Sequence, residues 1–514
     1  MNFHRPTVTA SLARLKNEAC HDRPSLPALS RKRARGTQSR CASFTLTALL
    51  LLFASPAWAD GLPDLGEVSQ STFSPQQERR AGEQVMLEIR ADRSYLDDPE
   101  VTEYLNDLGY RLVANSPDSR RDFEFFVLQD STLNAFALPG GFIGMHTGTI
   151  LAAQSESELA SVLAHEIAHV TQKHLARILA RSQDSALTSM AALALAILAA
   201  RSNPELANAA IATAQATSIQ NQLDYTRDHE READRIGLQI LQQSGFDTRA
   251  MQAFFERLQK SGRLYENNAP AYLRTHPLTT ERIADVQNRV AALPYRQVPD
   301  SLEFRLIRAK VRAMQGSPDQ AMEFFEEAVK EASRDTQIAP RYGLVLALMR
   351  ARSYSRAERE MATLRTSTPP GAIIENLAAQ LRSAVGQHAV AQAQYAAALK
   401  RFPQHRALAY GYAETLLQNR QNDAAAKLLD DQLQLHPGDH HLYELQAKSF
   451  AAQGRNLMAH KAQAEAFARN GNVPAAIEQL QVALKSGDGD FYQLSIVEAR
   501  LKELRARDAE IRKK

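Results

Sequence analysis

Apolar residues at 159, 162, 163, 167 and 170 recur at the three- and four-residue spacing of one helical face, inside a run from Ser155 to Ala180 that opens on a Ser155–Glu158 capping pair. The pattern predicts one partly buried helix there. Upstream, Ser74 to Arg90 and Pro99 to Asn115 read as helices, with Ser74-Pro75 a good N-cap and N1 pair. Between these helices and the capped run the period falls to two. Phe123, Phe125 and Val127 alternate as in a strand, and Asn134 to Leu151 reads as a second strand interrupted by Pro139-Gly140-Gly141. A proline and paired glycines fit an edge strand better than a central one. Asn134, Pro139, Gly140 and Gly141 are therefore a candidate edge to which an extended peptide could add itself, with an ordinary hairpin bend as the alternative. Ala186 to Ala200 is apolar but too short to span a bilayer, so a buried or membrane-surface helix is expected, with peripheral membrane contact as one consequence; the preferred reading is a mobile segment near the active site, with a core helix as the alternative.

Past about residue 300 a second period appears. Pro369, Pro403 and Pro437 recur every 34 residues, as do Ala357, Ala391, Ala425 and Ala459, the trio Ile374, Leu408 and Leu442, and Ala379, Ala413 and Ala447. That is the tetratricopeptide signature of helix pairs stacked into a superhelix with a concave binding face. Gly386 and Gly454 keep the register, whereas Arg420 stands between them, and Ser301 to Ser333 and Leu457 to Leu504 fit poorly, so four to six repeats are expected. The expected fold is mainly α: an α+β domain with a small sheet over 60–298, followed by an all-α superhelix over 299–510.

Charge and cysteine content add an address. Residues 1–59 carry a basic run, Arg31 to Arg40, then an apolar core, Phe44 to Ala54, then the small-x-small cleavage pattern Ala57-Trp58-Ala59, and read as a signal peptide with an extended n-region. They hold nine of the basic and two of the acidic residues, so the overall +3 becomes 52 basic against 56 acidic in the remainder, a net of −4. A nucleic-acid partner is not indicated. Cys20 and Cys41 both lie in this removable part, which suits an oxidising compartment.

The chemistry sits in the capped helix as HEIAH. Positions i and i+4 share a helical face, so His165 and His169 can offer two imidazole nitrogens to one metal ion, and Glu166, about 100° round, can reach a water on that metal. His174, five residues past His169, falls on a different face and reads as solvated. A two-histidine zinc site needs a third protein ligand. On the helix Asp228 to Gln243, Glu230 and Asp234 stand at i and i+4; Glu230 is the candidate ligand and Asp234 the carboxylate that holds a histidine in its tautomer.

HEIAH, the downstream EREAD of Glu230 to Asp234, and NAFALPGG before the first motif together resemble the M48 metallopeptidases. The resemblance implies a zincin-type catalytic domain with one Zn2+, held by His165, His169 and Glu230, with Glu166 as base and Asp234 supporting a ligand. Thr275-His276-Pro277 followed by Glu281-Arg282 also matches, implying a regulatory His276 near the metal and an auxiliary Arg282. With the export-type segment and the repeats, the chain resembles the periplasmic, repeat-bearing members of that family. Their clients would be misassembled outer-membrane β-barrel proteins, and the barrel-assembly machinery a docking partner. The expectation is a periplasmic zinc endopeptidase with chaperone-like activity; the alternative is a repeat-based chaperone or adaptor whose protease domain is largely latent.

Overall fold

The computed structural model describes residues 74–181, 216–263, 271–333 and 336–512. The signal-like segment and the apolar run from Ala186 to Ala200 lie outside the described residues. Among the described residues no helix is long and apolar enough to cross a membrane.

Helix α1 (Pro75–Ala91) begins at the expected Ser74 cap, closed by Gln77 into a full capping box. Helix α2 (Pro99–Val113) is capped by Asp98, whose carboxylate accepts from the Glu100 and Val101 N–H groups. Three strands follow, β1 (Glu124–Leu128), β2 (Ala135–Ala137) and β3 (Phe142–His146), in the order β1-β3-β2. β3 is central, parallel to β1 and antiparallel to β2.

Asn134 to Leu151 is thus a hairpin and the short helix α3 (Thr147–Ala152) rather than one interrupted strand. Pro139-Gly140-Gly141 is its turn, one turn of 3-10 helix with all three residues buried, not part of an edge strand. Gly140 has φ +75, and a β-carbon there would lie 2.6 Å from the Arg79 Cα, so the turn is built to fit under α1. The outer strand is Ala135–Ala137. Asn134 O accepts from His146 N–H and Leu138 N–H donates to Phe142 O, which directs the peptide groups of Ala135 and Ala137 away from β3.

Helix α4 (Glu156–Thr171) carries the HEIAH motif and is buried at nearly every position. Leu159, Leu163 and Ile167 pack with Phe125, Val127, Ile143 and Met145 of the sheet and with Leu241 and Phe254. The expected single helix to Ala180 is in fact two: Lys173 takes the left-handed conformation (φ 55) and α5 (His174–Arg181) starts afresh. Among the described residues four further helices follow in this part: α6 (Ala216–Gln243), α7 (Arg249–Arg263), α8 (Ala271–Thr275) and α9 (Thr280–Ala291). Helix α6 lies against α4 at Gly237, where a β-carbon would come within 3.1 Å of the His165 backbone nitrogen.

From Leu302 onward the described residues form six helix pairs. The first helices of the regular pairs span Ile338–Arg350, Ala372–Ala384, Arg406–Gln418 and His440–Ala452. The turns inside those pairs place Arg352, Gly386, Arg420 and Gly454 in the left-handed region, at φ 56, 78, 58 and 72. Arg420 therefore does the same backbone work as the glycines that flank it one repeat away, at the strain cost of a side chain. The two poorly fitting segments also form helix pairs. Leu302–Met314 reads irregularly because it serves two cores: Phe304, Ile307 and Val311 pack with the sheet-bearing part, while Leu306, Ala309 and Ala313 pack into the first repeats.

The expected boundary at 298/299 consequently falls at a packed junction. Asp300 accepts from the Glu156 N–H at 2.8 Å, and the Glu156 carboxylate accepts from the Ser301 N–H at 3.0 Å. Buried Lys310 bridges Asp98 and Glu100 at 2.6 Å each, and Asn376, on a repeat helix, donates to Glu100 at 2.8 Å. The start of α2 is thereby seated on the repeat array.

Candidate metal centre

Helix α4 presents His165 and His169 one turn apart, and their Nε2 atoms converge to 3.0 Å. Helix α6 brings Glu230 across from them, its carboxylate oxygens 3.4 Å from His165 Nε2 and 3.3 Å from His169 Nε2. His276, just past α8, closes the ring, with Nδ1 3.0 Å from Glu230 and 3.4 Å from His165 Nε2. One ligand atom from each of these four residues lies within 4.8 Å of the others.

Behind the ring stands a layer of charge. Asp234, one turn after Glu230, has a carboxylate oxygen 3.0 Å from His165 Nδ1, a contact that leaves His165 Nε2 turned toward the ring. Arg282, buried on α9, holds Asp234 through two bonds of 2.7 Å and lies 2.8 Å from Glu230. Its guanidinium thus clamps the carboxylates from behind and also donates to the Pro277 carbonyl at 2.9 Å, which anchors the turn beside His276.

Titration follows from these contacts. Burial works against the Glu230 charge, yet His276 and His169 outweigh it and hold the carboxyl well below its usual range. Burial likewise opposes Asp234, and Arg282 brings its pKa down. Burial disfavours a charged His165, but its bonds to Asp234 and Glu230 push it up to about 10. Burial carries His169 down to about 4. The split between these neighbours on one helix follows from burial of His169 against the two carboxylates beside His165, with repulsion from His165 and His276 adding to the fall of His169. Glu166, fully buried, is raised by burial above the ordinary carboxylate range.

Do these residues fit a metal? Both Glu166 carboxylate oxygens are buried with no hydrogen-bond partner, the nearest cationic group being His276 Nε2 at 3.6 Å. Two imidazole nitrogens and a carboxylate aimed at one point, in a buried setting, are the donor set of a catalytic zinc site. A divalent cation there would relieve the nitrogen–nitrogen contacts and give Glu166 a water to accept from. The residues fit.

All five principal residues predicted from sequence meet here, with His276 and Arg282. Pro139, Gly140 and Gly141 do not: their backbone neighbours are Glu78, Arg79 and Asp122. Asn134 is buried, its N–H donating to Thr149 at 2.9 Å. His174 is not solvated, a correction to the sequence reading. It is 2% exposed, because the left-handed Lys173 turns the chain back toward His169, and its ring stacks on His229 at 4.2 Å. Sequence reasoning also missed Tyr272, buried and stacked on His276 at 4.7 Å; its place three residues before a recognised Thr-His-Pro segment carried no signal of its own.

Comparison with known proteins agrees with this geometry. Residues 99–290 match the model of peptidase family M48, and 384–449 and 444–491 match tetratricopeptide repeat models. The β-barrel assembly-enhancing protease of Escherichia coli (strain K12) is 34% identical over 470 residues, covering 90% of this chain and 95% of its own length. Its counterpart in Yersinia pestis is 32% identical, covering 88% of this chain and 93% of its own length. A relative from Vibrio cholerae is 40% identical over 310 residues, and there the chain spans only 64% of the relative's length. The chain belongs to peptidase family M48, as a metalloendopeptidase with C-terminal tetratricopeptide repeats.

Proposed function

We propose that this protein is a zinc endopeptidase of the periplasm that acts on misassembled outer-membrane β-barrel proteins, with the barrel-assembly machinery as docking partner. The observation that carries the chemistry is the buried convergence of His165, His169 and Glu230 beside an unbonded Glu166. The client class rests on the printed names of the relatives from Escherichia coli and Yersinia pestis, and the export-type segment supports the compartment.

His165, His169 and Glu230 hold the metal, with His165 oriented by Asp234 and Asp234 by Arg282. When bound, zinc supplies Lewis acidity that polarises the scissile carbonyl and acidifies the attacking water. Glu166 takes a proton from that water and hands it to the leaving amine nitrogen; its raised affinity for protons suits both halves of the task. The outward peptide group of Ala137, at the partly exposed end of β2, holds the client as an added strand. His276 stands in the ligand ring, where a substrate carbonyl would have to approach, and keeps the resting enzyme quiet. Latency is common to this reading and to a chaperone or adaptor with a largely latent protease domain; the ligand set beside the unbonded Glu166 is what supports a working protease.

The test is Glu166→Gln in the full chain. It should retain one zinc per chain yet lose cleavage of an unfolded barrel client by three orders of magnitude or more, because it removes the base and no ligand. Cleavage by the purified variant at the wild-type rate would refute the assignment.

A further inference from the structure

Resting on that metal reading, we infer that His174 and Glu232 are positioning residues that fix the tautomer and orientation of His169. The two histidine ligands are supported differently. His165 Nδ1 faces a carboxylate directly, Asp234 at 3.0 Å. His169 Nδ1 faces another imidazole, His174 Nδ1, at 2.9 Å. The far nitrogen of that ring, His174 Nε2, is 3.2 Å from Glu232 Oε2, and Arg177 Nη1 is 3.0 Å from the same oxygen.

Proton positions follow from what each group can do. An arginine only donates, so Glu232 Oε2 is an acceptor in both contacts, and the ring proton of neutral His174 resides on Nε2. His174 Nδ1 is then a lone pair. Of two nitrogens facing each other at 2.9 Å, one must carry the hydrogen, and it is His169 Nδ1. His169 Nε2 is left as the lone pair, directed at the ring shared with Glu230 and His165. A chain Glu232–His174–His169 therefore does for one ligand what Asp234 does for the other. Glu232 lies two residues from Glu230 on α6, so one short segment supplies a ligand and the far support of another.

The support is also built to be rigid. His174 is 2% exposed, its ring lies 4.8 Å from that of His169 and stacks on His229 at 9°. It can stand there only because Lys173 breaks the helix: continued straight, a residue five positions past His169 would point about 140° away.

The experiment measures zinc affinity of the full-length protein by competition with a chelator. His174→Phe keeps the ring on His229 but removes both nitrogens. Its zinc dissociation constant should rise about 10–100-fold, while the zinc-free protein melts as wild type does. His174→Gln, whose amide can donate to Glu232 and accept from His169, should recover at least part of that loss. Wild-type affinity in His174→Phe, or a Gln variant no better than the Phe variant, would overturn the proposal. Failure of the metal reading shows separately: a wild-type chain that takes up no zinc overturns that reading and this proposal with it.

Discussion

At the residue scale the site is decided by which buried groups lack or share partners. Glu166 has none among protein atoms, whereas His276 has two, Glu230 and His165. His276 is the replaceable member of the ring, because His165, His169 and Glu230 alone make the usual three-ligand set with an open position. His276→Ala should therefore keep the zinc and raise turnover of an unfolded client, by on the order of tenfold if the contact holds the site closed by ~1.4 kcal/mol. Zinc stoichiometry and initial cleavage rate check it; lost zinc would make His276 a structural ligand instead. The i, i+4 spacing made His165, His169, Glu230 and Asp234 legible from sequence, since spacing on a helix is geometry. His174 was not legible, because the helical spacing runs straight through Lys173 and nothing in that residue's chemistry announces a left-handed turn. Arg282 was legible as a participant but not as a clamp: only its two bonds to Asp234 show that it acts from behind the ligands.

At the element scale, helices and the repeat period were legible because each buries one face at one spacing. The helix Leu302–Met314 was not, since it buries two. Phe304 faces the sheet-bearing core, with Tyr104 at 6.4 Å, and Leu306 faces the repeats. A cut near residue 299, which the sequence boundary invites, would strip Phe304, Ile307 and Val311 from the catalytic core. The less drastic probe is Phe304→Ala in the full chain. Removing this buried ring should cost about 3–5 kcal/mol of the catalytic part, seen as a fall in its denaturation midpoint and as easier release of zinc. An unchanged midpoint would mean that the catalytic core closes without this helix and that a boundary at 299 serves it. The sheet teaches a similar lesson. Alternation and the Pro-Gly-Gly break were both read from sequence, but which side of the break stays open depends on pairing with β3 and on the seat under α1, and neither is local.

At the scale of the whole molecule, catalytic part and repeats are joined by buried charge. Lys310, Asp98, Glu100 and Asn376 form one such contact, and Glu103 on α2 facing Arg406 of a repeat helix forms another. The repeat helices Ala372–Ala384 and Arg406–Gln418 are thus engaged by the sheet-bearing part. Glu103 makes the junction sensitive to pH. Burial raises its carboxyl to about 7, Arg406 only partly offsetting this while Asp107 and Glu100 add to it, and one of its oxygens is buried without a hydrogen bond. The sign is fixed by linkage: a carboxyl that binds its proton more tightly folded than unfolded stabilises the fold fully below its ordinary pKa of 4.5, and that contribution is lost as pH rises through about 7. Glu103→Gln holds the neutral form at every pH. The melting temperature of the variant minus that of wild type should therefore be small near pH 5 and grow to its full value by pH 8, while His405 and the other groups at the junction titrate in both proteins and cancel. A difference that stays flat across this range would show that Glu103 keeps an ordinary carboxylate at the junction, and that Arg406 compensates the burial completely.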